Sequence, residues 1–565
     1  MNENQSAALQ QLAQGNALKE QGLLEDAVHC YQQGLAFYPG SAELWFVMGT
    51  ALLSLSKLPE AVQALQKAIA LKPDCLYAYI CLSNTLQEQG LTEEAIHCYK
   101  QGLEIFPDSS ELWYNLGTDL LALQRLSESI QALRQAIALK PDLAGAYINL
   151  GYALDEQGLS ADAIYFYQQG LAICPDNAEL WFNLGTVLID LHRLPEGVTA
   201  LQQAVNRKPY FTDAYNSLGN SLQFLGEAEA AIAAYDRVIA LNPGEPDVYC
   251  DRSLAILLSG NLARGFAEYK WRTKVRRYRH AYDWCNDKPQ WYGENFSGKR
   301  LLVYHEQGFG DALQFCRYLP RVKARGGIVQ FSAPQPLLRL FAHLPGVDEF
   351  IEHTAETLAR TQFDLAVPLL TLPHIFGTTL HTIPSEVPYL TAGQPCIAAW
   401  RNKMNSPDSD LRVGLVWGGG PGNIPGRIRT CGLQAMSPLA GIPGVTFYSL
   451  QTGEAASEAG APPPGLRLID LTGNITDFAD TAALIMNLDL VISIDTAAAH
   501  LAGALGKPVW TLLPAENIWR WLVARNDCPW YPTMRLFRQS APGDWGGVMT
   551  AVARELRTLI SATAK

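Results

Sequence analysis

Positive charge is scarce in this sequence. It contains 43 lysine and arginine residues against 55 aspartate and glutamate residues, which gives a formal net charge of -12. Nucleic acids and anionic membrane surfaces are bound by lysine and arginine side chains that neutralise phosphates. The composition therefore argues against nucleic acid as a partner. Hydrophobic residues make up 48% of the chain and charged residues 17%, which argues against disorder.

Metal-binding and disulfide patterns are also missing. The 11 cysteines are scattered singly, with no CxxC pair and no cluster of histidine and cysteine at zinc spacing. We therefore expect neither a metal site nor a disulfide framework, and reduced thiols are typical of the cytosol. No run of about 18 apolar residues occurs, and residues 1–22 do not combine a basic end with an apolar core. These absences predict a cytoplasmic protein without a membrane span.

The first half of the chain is an internal repeat. Proline recurs every 34 residues, at Pro39, Pro73, Pro107, Pro141, Pro175, Pro209 and Pro243. Aromatic and glycine positions keep the same period, which indicates stacked helical hairpins. The pattern resembles the tetratricopeptide repeat and covers about residues 8 to 272 in eight units. It predicts an α-solenoid over residues 1–272.

Three consecutive repeats carry asparagine at the same position, which is expected to face the concave groove of the solenoid. These residues are Asn115, Asn149 and Asn183. The arrangement resembles a short version of the asparagine ladder in the repeat domain of O-linked N-acetylglucosamine transferases. The resemblance implies that the amides hold an extended protein or peptide acceptor by its backbone. The alternative is that asparagine only solvates this face.

The stretch from Leu488 to Pro514 predicts one βαβ unit of a nucleotide-binding layer. Its two strands, Leu490 to Ile494 and Val509 to Leu513, are almost continuously apolar, as buried parallel strands are. A helix from Ala497 to Leu505 lies between them. Asp495 and Thr496 fall where the first strand ends, so they are expected to cap the helix at the ligand-binding edge of the sheet. The N-terminus of that helix suits a diphosphate.

A second candidate loop lies earlier, after a linker predicted at residues 273–298. The strand Arg300 to Tyr304 is followed by the loop HEQGFGD and by a helix expected from about Ala312 to Ala324. Gly308 and Gly310 permit close approach of the backbone to a ligand, and we place them on the acceptor side. Strands at Ile328 to Ser332 and Phe363 to Pro368 extend the layer.

Two Rossmann-like layers are therefore predicted, at residues 299–400 on the acceptor side and 411–565 on the donor side. The second opens with VGLVWGGG at Val413 to Gly420 and ends in a helix from about Gly546 to Ser561. Two facing layers with a cleft between them form a GT-B arrangement. The predicted fold class is an α-solenoid followed by an α/β GT-B fold.

Two segments carry a specific resemblance. GFGDALQFCRYLP at Gly308 to Pro320 and DTAAAHLAGALGKPVWTLLP at Asp495 to Pro514 resemble the signature segments of bacterial ADP-heptose:lipopolysaccharide heptosyltransferases. The whole chain is similar to tetratricopeptide-repeat glycosyltransferases with a heptosyltransferase-like C-terminal half. The resemblance implies that Asp311 is the catalytic base and that Asp495, Thr496 and His500 contact the donor.

The sequence also departs from these relatives. The loop after Trp417 and Gly418 keeps only Arg427 and Arg429 as cations, and no lysine follows Gln451. We place Trp417, Gly418, Arg429 and Gln451 on the donor side. Either the donor carries less charge, as a CMP-linked acidic sugar does, or activity is reduced.

Purely structural roles for these candidate residues also stay open. Asp311 could be only a helix cap, and His500 an ordinary buried helix histidine. Trp417 could be a core residue. Glu306 is the second candidate base, because a carboxylate in the same loop could also deprotonate a hydroxyl.

The predicted function is an inverting, metal-independent glycosyltransferase that needs no cofactor and uses a nucleotide-sugar donor and a protein acceptor. The alternative is a repeat scaffold that mediates protein contacts with weak or no activity. The donor and the acceptor are not identified by the sequence.

Overall fold

The computed structural model describes residues 3–285, 288–404, 410–420 and 429–563. The chain folds as two compact units, Met1–Ala214 and Tyr215–Lys565. The division falls inside the repeat array because its last hairpins share a hydrophobic core with the α/β part of the second unit. The boundaries at residues 272/273, 298/299 and 400/411 follow the sequence pattern and stay predictions. Arg427 lies outside the described residues.

Residues 3–269 form sixteen helices, which pair into eight hairpins and confirm the predicted repeats. The helices are α1 Glu3–Glu20, α2 Leu24–Phe37, α3 Ala42–Ser54, α4 Leu58–Leu71, α5 Leu76–Glu88, α6 Thr92–Ile105, α7 Ser110–Ala122, α8 Leu126–Leu139, α9 Ala144–Glu156, α10 Ser160–Ile173, α11 Ala178–Asp190, α12 Leu194–Arg207, α13 Thr212–Leu225, α14 Ala228–Leu241, α15 Pro246–Leu258 and α16 Leu262–Tyr269.

Glycine in the first helix of a hairpin lets the second helix approach closely. A Cβ atom added at Gly151 would lie 2.3 Å from the ring of Tyr167, and one at Gly117 would lie 2.6 Å from Leu133. Real Cβ atoms do not approach other atoms so closely, so a larger residue would push the two helices apart. Tyrosine and leucine alternate at this position of the second helix from one repeat to the next, which gives a secondary period of 68 residues.

Within the described residues, ten strands form two parallel sheets. The first layer has the order β3-β2-β1-β4 and the second the order β10-β9-β8-β5-β6-β7. The strands are β1 Arg300–Tyr304, β2 Ile328–Ala333, β3 Glu349–Glu352, β4 Leu365–Pro368, β5 Leu411–Val416, β6 Val445–Ser449, β7 Leu468–Ile469, β8 Leu490–Ile494, β9 Val509–Leu513 and β10 Met534–Arg538. Two layers of parallel strands agree with the predicted GT-B fold.

Nine helices of the described residues accompany the sheets. They are α17 Phe309–Phe315, α18 Leu319–Lys323, α19 Gln335–Phe341, α20 Ala355–Arg360, α21 Leu372–Ile375, α22 Gln394–Lys403, α23 Phe478–Met486, α24 Ala497–Ala504 and α25 Trp545–Thr563. None of the helices in the described part of the chain is long and apolar enough to cross a membrane.

The helix predicted from Ala312 to Ala324 is wrong in its extent. The structure begins it at Phe309, ends it at Phe315 and resumes it at Leu319 after a tight turn over Cys316–Tyr318. Pro320 has no N–H group to donate to the preceding turn, so a continuous helix is interrupted at this place. The early start places Asp311 at the third position of α17, in its first turn.

Candidate active site

Asp311 holds the first turn of α17 together. Its Oδ2 accepts a hydrogen bond from the backbone N–H of Gly308 at 3.0 Å, which satisfies a donor that the helix leaves open. The side chain is 13% exposed, so the carboxylate is partly accessible. The capping role is therefore present in the structure, and it leaves the second carboxylate oxygen for another partner.

That partner is Arg520, which lies in the segment after β9. Its Nη2 donates to Asp311 Oδ1, and its Nε donates to Gln314 Oε1 at 3.1 Å. The guanidinium also lies 4.5 Å from the centre of the Trp519 ring. The sequence analysis indicated no role for Arg520. The ion pair joins the first layer to the second.

Gly310 and His500 bring two helix N-termini into contact. A Cβ atom added at Gly310 would lie 2.9 Å from His500 Cδ2, so α17 and α24 pack closely at this point. Glycine is thus required here for the approach of the two helices. His500 is buried, and its Nδ1 lies 3.0 Å from the hydroxyl of Tyr531. Burial lowers the pKa of His500 to about 4, although the carboxylate of Asp495 raises it, so the ring is neutral near pH 7.

Asp495 and Arg429 form a second ion pair at the same edge. Arg429 Nη1 donates to Asp495 Oδ2 at 3.2 Å, and the side chain of Asp495 is buried. Asp495 Oδ1 lies 3.8 Å from His500 Nε2, which is beyond hydrogen-bond distance. The structure therefore gathers Asp311, Arg429, Asp495 and His500 where the two layers meet.

The expected capping of α24 by side chains is wrong. Thr496 is the N-cap residue, but its side chain makes no hydrogen bond to the first turn. Its hydroxyl instead lies 3.0 Å from Ser493 Oγ. Because the cap is not made, the first N–H groups of the helix keep their capacity to bind a ligand.

A cavity of about 460 Å³ lies at this edge, between the two layers. The lining residues come from the ends of β5, β6 and β8, from the first turns of α23 and α24, and from the first layer. They include Phe309, Gly418, Gln451, Thr496 and Ala497. None of the described residues that line this cavity is lysine or arginine, whereas Glu454 and Asp477 are acidic. The cavity thus offers helix N–H groups rather than basic side chains.

Hydrogen bonds join the side chain of Gln451 to the backbone of Trp417 and Gly418 beside the cavity. Gln451 Oε1 accepts from the N–H groups of Trp417 at 3.0 Å and Gly418 at 2.7 Å, and its Nε2 donates to two backbone carbonyls. The indole of Trp417 is fully buried and donates to the carbonyl of Ala455. These contacts favour a supporting role for Trp417 and Gln451, and Gly418 supplies part of the cavity surface.

Glu306 has no free acceptor position for catalysis. Its carboxylate is fully buried and receives Arg272 Nε at 2.8 Å and Nη2 at 2.9 Å. The hydroxyl of Tyr282 at 2.5 Å and the N–H of Leu370 at 2.8 Å complete the set. Since four donors hold it in place, the geometry gives no support to the predicted catalytic role of Glu306. The contacts fasten the segment after α16 to the first layer.

A second cavity, of about 500 Å³, lies next to Glu306 on the first layer. Trp284 and Phe363 contribute aromatic surface, and His305 and His353 contribute imidazoles. His353 Nδ1 lies 2.8 Å from the buried hydroxyl of Ser332. Burial lowers the pKa of His353 to about 4, so this ring is neutral near pH 7. The imidazole of His353 therefore adds no positive charge to this cavity, although Lys288 also lines it.

The three asparagines of the predicted ladder lie on α7, α9 and α11 in the first compact unit, each partly exposed. Asn149 Nδ2 donates to Thr118 Oγ1 of the preceding repeat at 3.0 Å. One amide group of the set is therefore partly used within the array. The binding role of Asn115, Asn149 and Asn183 stays a prediction.

Known protein families match both halves of the chain. Tetratricopeptide repeat models match residues 12–74, 82–144, 114–178, 166–198 and 212–245. A glycosyltransferase family 9 (heptosyltransferase) model matches residues 450–528. The chain thus joins tetratricopeptide repeats to a segment that matches glycosyltransferase family 9. The matched segment contains Gln451, Asp495, Thr496, His500 and Arg520, whereas Asp311 lies outside it.

Three individual proteins that resemble the chain share 20–27% sequence identity with it. Protein FlbA of Caulobacter vibrioides is 27% identical over 349 residues, and the alignment covers 56% of this chain and 56% of FlbA. The chain thus spans about half the length of this curated relative. The structure of YrrB, described as a TPR protein with an unusual peptide-binding site, is 20% identical, covers 33% of this chain and 95% of that one, and has a TM-score of 0.30. A structure of MamA protein is 20% identical, covers 31% and 94%, and has a TM-score of 0.29.

Proposed function

We propose that this protein is an inverting glycosyltransferase that moves a sugar from a nucleotide-sugar donor to a hydroxyl of a protein acceptor in the cytoplasm. The observation that carries the proposal is the cavity between the two layers, which the uncapped first turn of α24 lines. An uncapped helix N-terminus binds phosphate groups through its N–H groups and its dipole. Asp311 lies close by, because Gly310 contacts His500 on α24.

In the proposed reaction, the acceptor hydroxyl attacks the anomeric carbon of the donor sugar and gives its proton to Asp311. The bond from that carbon to the phosphate oxygen breaks, and the nucleotide leaves with both electrons of the bond. Attack opposite the leaving group inverts the configuration. The N–H groups of α24 and the guanidinium of Arg429 stabilise the departing phosphate. The proposal therefore assigns no step to a metal or cofactor.

The acceptor is proposed to be a protein that the repeats recruit. Tetratricopeptide repeats present a concave surface built from the first helices of successive hairpins. Asn115, Asn149 and Asn183 occupy equivalent places on three of these helices. Amide side chains there can bond to an extended backbone as donor and acceptor. We assign the second cavity, beside His305 and His353, to the group of the acceptor that carries the hydroxyl.

The test is a nucleotide-release assay with candidate nucleotide-sugars, run with and without candidate proteins. Release that depends on both a donor and a protein acceptor supports the proposal. The anomeric configuration of the product distinguishes inversion from retention. Release without transfer to any protein would remove the acceptor half of the proposal and leave a nucleotide-sugar hydrolase.

A scaffold with weak or no activity is the second candidate, and the charge of the cavity favours it. The described lining residues include Glu454 and Asp477 but no lysine or arginine. A nucleotide diphosphate in such a cavity depends for its charge compensation on helix N–H groups and on Arg429, which pairs with Asp495 next to the lining residue Thr496. If no nucleotide is bound or released, the scaffold is the better description of the protein.

A further inference from the structure

The segment Ala515–Ala524, which follows β9, contacts the terminal repeats and the active site at once. We call this segment the coupling segment, and residues 215–269 the terminal hairpins. The backbone N–H and the side chain of Asn517 both donate to the carbonyl oxygen of Phe224, at 3.0 and 3.1 Å. Three residues later, Arg520 pairs with Asp311. Both contacts lie within the second compact unit.

Aromatic packing reinforces the same connection. The ring of Phe266, on α16, meets the ring of Trp519 edge-on with centroids 5.6 Å apart. Trp519 also lies under the guanidinium of Arg520. The turn between α13 and α14 is in contact with the segment as well, since a Cβ atom at Gly226 would lie 2.8 Å from Asn517 Nδ2. The position of Arg520 therefore depends on its neighbours in the terminal hairpins.

The coupling segment also holds an unusual backbone. Leu522 and Ala524 have φ angles of 53° and 54°, in the left-handed region that residues with a side chain rarely adopt. Such conformations are strained and persist where the surroundings impose them. Both residues follow Asn517 and Arg520 in the chain, and Arg538 Nη2 donates a hydrogen bond to the carbonyl oxygen of Leu522 at 2.9 Å. The strained end of the coupling segment is thus held by its contact with Arg538.

We infer that Arg520 is a positioning residue for Asp311, and that the anchorage of the coupling segment on the terminal hairpins fixes this position. The inference rests on the proposed function, because it assigns the regulation of the same site. Arg520 occupies one lone pair of Asp311 Oδ1, and Gly308 occupies Oδ2. Each carboxylate oxygen has two lone pairs, so the two contacts fix the orientation in which Asp311 meets an acceptor hydroxyl.

The remaining groups around this pair do not replace Arg520. Asp311 acts electrostatically on His305 in the first layer and on His500 in α24, and burial lowers the pKa of both imidazoles below 6.5. Both rings are therefore neutral near pH 7. Asp495 and Tyr269 interact electrostatically with Arg520, but neither side chain carries a positive charge that could pair with Asp311. Arg520 is the positive side chain that bonds directly to Asp311.

The inference predicts that turnover depends on the packing of the terminal hairpins. A shift of Phe224 or Phe266 would move the coupling segment and thereby change turnover. Donor binding would change little, since the cavity between the layers is lined by other residues. We therefore expect a change in kcat rather than in the KM of the donor.

The test measures nucleotide release by the full-length protein and by Arg520→Ala, Arg520→Lys and Asn517→Ala. Arg520→Ala is expected to lower kcat about 10- to 100-fold, the cost of a misplaced reacting group, while the KM of the donor changes less than about threefold. Guanidinium ion added to Arg520→Ala is expected to restore part of the lost kcat. Arg520→Lys keeps the charge without the planar fork. Its kcat is expected to lie between those of the wild type and Arg520→Ala.

Asn517→Ala tests the anchor without touching Asp311. It is expected to lower kcat about two- to tenfold, the range of one lost hydrogen bond. The matched control is Arg525→Ala, in the same loop, whose exposed side chain pairs only with Asp527 among the contacts described. The control is expected to keep wild-type kcat. Melting curves of all variants establish whether each one is folded.

The outcomes separate this inference from the proposed function. Release that requires Asp311 but is unchanged in Arg520→Ala would overturn the inference and leave the function intact. A loss in Arg520→Ala that neither guanidinium nor lysine relieves would also overturn it. If Arg520→Ala does not fold, equal kcat for Asn517→Ala and the wild type would overturn it. Absence of any turnover in the wild-type protein would overturn the proposed function, and the inference with it.

Discussion

Arg520 donates a hydrogen bond to Asp311 from a position 209 residues later in the chain. Asp311 lies in the first turn of the helix after β1, whereas Arg520 follows β9. The ion pair thus joins the two parallel layers at the place where the proposed reaction occurs. It also shows that Asp311 has two tasks, because one oxygen caps a helix and the other meets the second layer.

Asp311→Asn separates these tasks. The amide keeps the size of the side chain but cannot accept the proton of an acceptor hydroxyl. We expect turnover to fall by about 10²- to 10⁴-fold, the range of a positioned general base, while the protein stays folded. Nucleotide release and the melting temperature measure the two effects.

The control for that variant is Asp364→Asn. Asp364 lies in the same layer, is exposed and accepts a hydrogen bond from the backbone N–H of Arg300. Its replacement is expected to leave turnover unchanged. Wild-type turnover in Asp311→Asn would restrict Asp311 to its capping role.

Glu306→Gln is expected to reduce stability. The substitution removes the negative charge that pairs with Arg272 in a site where both side chains are almost fully buried. Removal of one partner from a buried ion pair costs about 3–5 kcal/mol because the other charge stays uncompensated. Chemical denaturation measures the loss. Glu555→Gln, which breaks an exposed pair with Arg535, is the control and should change stability little. Unchanged stability in Glu306→Gln with lost turnover would instead favour a catalytic role.

Replacement of Asn115, Asn149 and Asn183 together by alanine tests the ladder. Each lost amide contact is worth about 0.5–1.5 kcal/mol, so the acceptor KM should rise at least about tenfold if the three contacts add. Hydrolysis of the donor in the absence of acceptor should stay constant. Gln101, Gln135 and Gln169 repeat with the same 34-residue period on the second helices and are exposed, so their triple alanine variant is the matched control. Equal transfer by both triple variants would place the acceptor elsewhere.

Nucleotides are expected to raise the melting temperature if the cavity between the layers binds the donor. A ligand that binds only the folded state adds about 2.7 kcal/mol of stability at 100 times its dissociation constant. A panel of UDP, ADP, GDP and CMP, with and without a chelator, would rank the donors and test for a metal requirement. No shift with any of the four would favour the scaffold.

The burial of Asp119, on α7, leads us to expect an unusual pH dependence of stability. Its side chain is almost fully buried, one carboxylate oxygen has no hydrogen-bond partner among the described residues, and burial raises its pKa to about 6 from 3.8. The folded state therefore binds the proton more tightly than the unfolded chain, and this contribution to stability is lost as pH rises from about 4 through about 6. About two pKa units correspond to about 2–3 kcal/mol.

Asp119→Asn removes this dependence. The difference in melting temperature between Asp119→Asn and the wild type should move in favour of the variant between about pH 4 and pH 6 and then stay constant. Asp142→Asn, at an exposed position of the same array, is the control and should show no such trend. A difference that is the same at pH 3.5 and pH 8 would contradict the prediction.

Much of the fold follows from local patterns in the chain. The 34-residue period specifies the hairpins, because each repeat contains the proline, glycine and aromatic residues that its own two helices need. Apolar runs specify β1, β5, β6, β8 and β9. The short strand β3 and the last strand β10 were not predicted, since their residues are mixed in polarity and gain their place only by pairing with β2 and β9. Pro320 is the sequence feature that indicates the early end of α17.

By itself, the sequence determined which loops end at the edge of the sheets, and hence the candidates Asp311, Asp495, Thr496 and His500. Tertiary structure decided what each side chain does there. Glu306 and Asp311 are only five residues apart, yet Glu306 is enclosed by Arg272, Tyr282 and Leu370, whereas Asp311 meets Arg520 beside the cavity. The physical reason is that charge compensation depends on distance in space. Apart from Gly308, which Asp311 caps locally, the partners of both carboxylates come from segments 24 to 209 residues away, which no local pattern specifies.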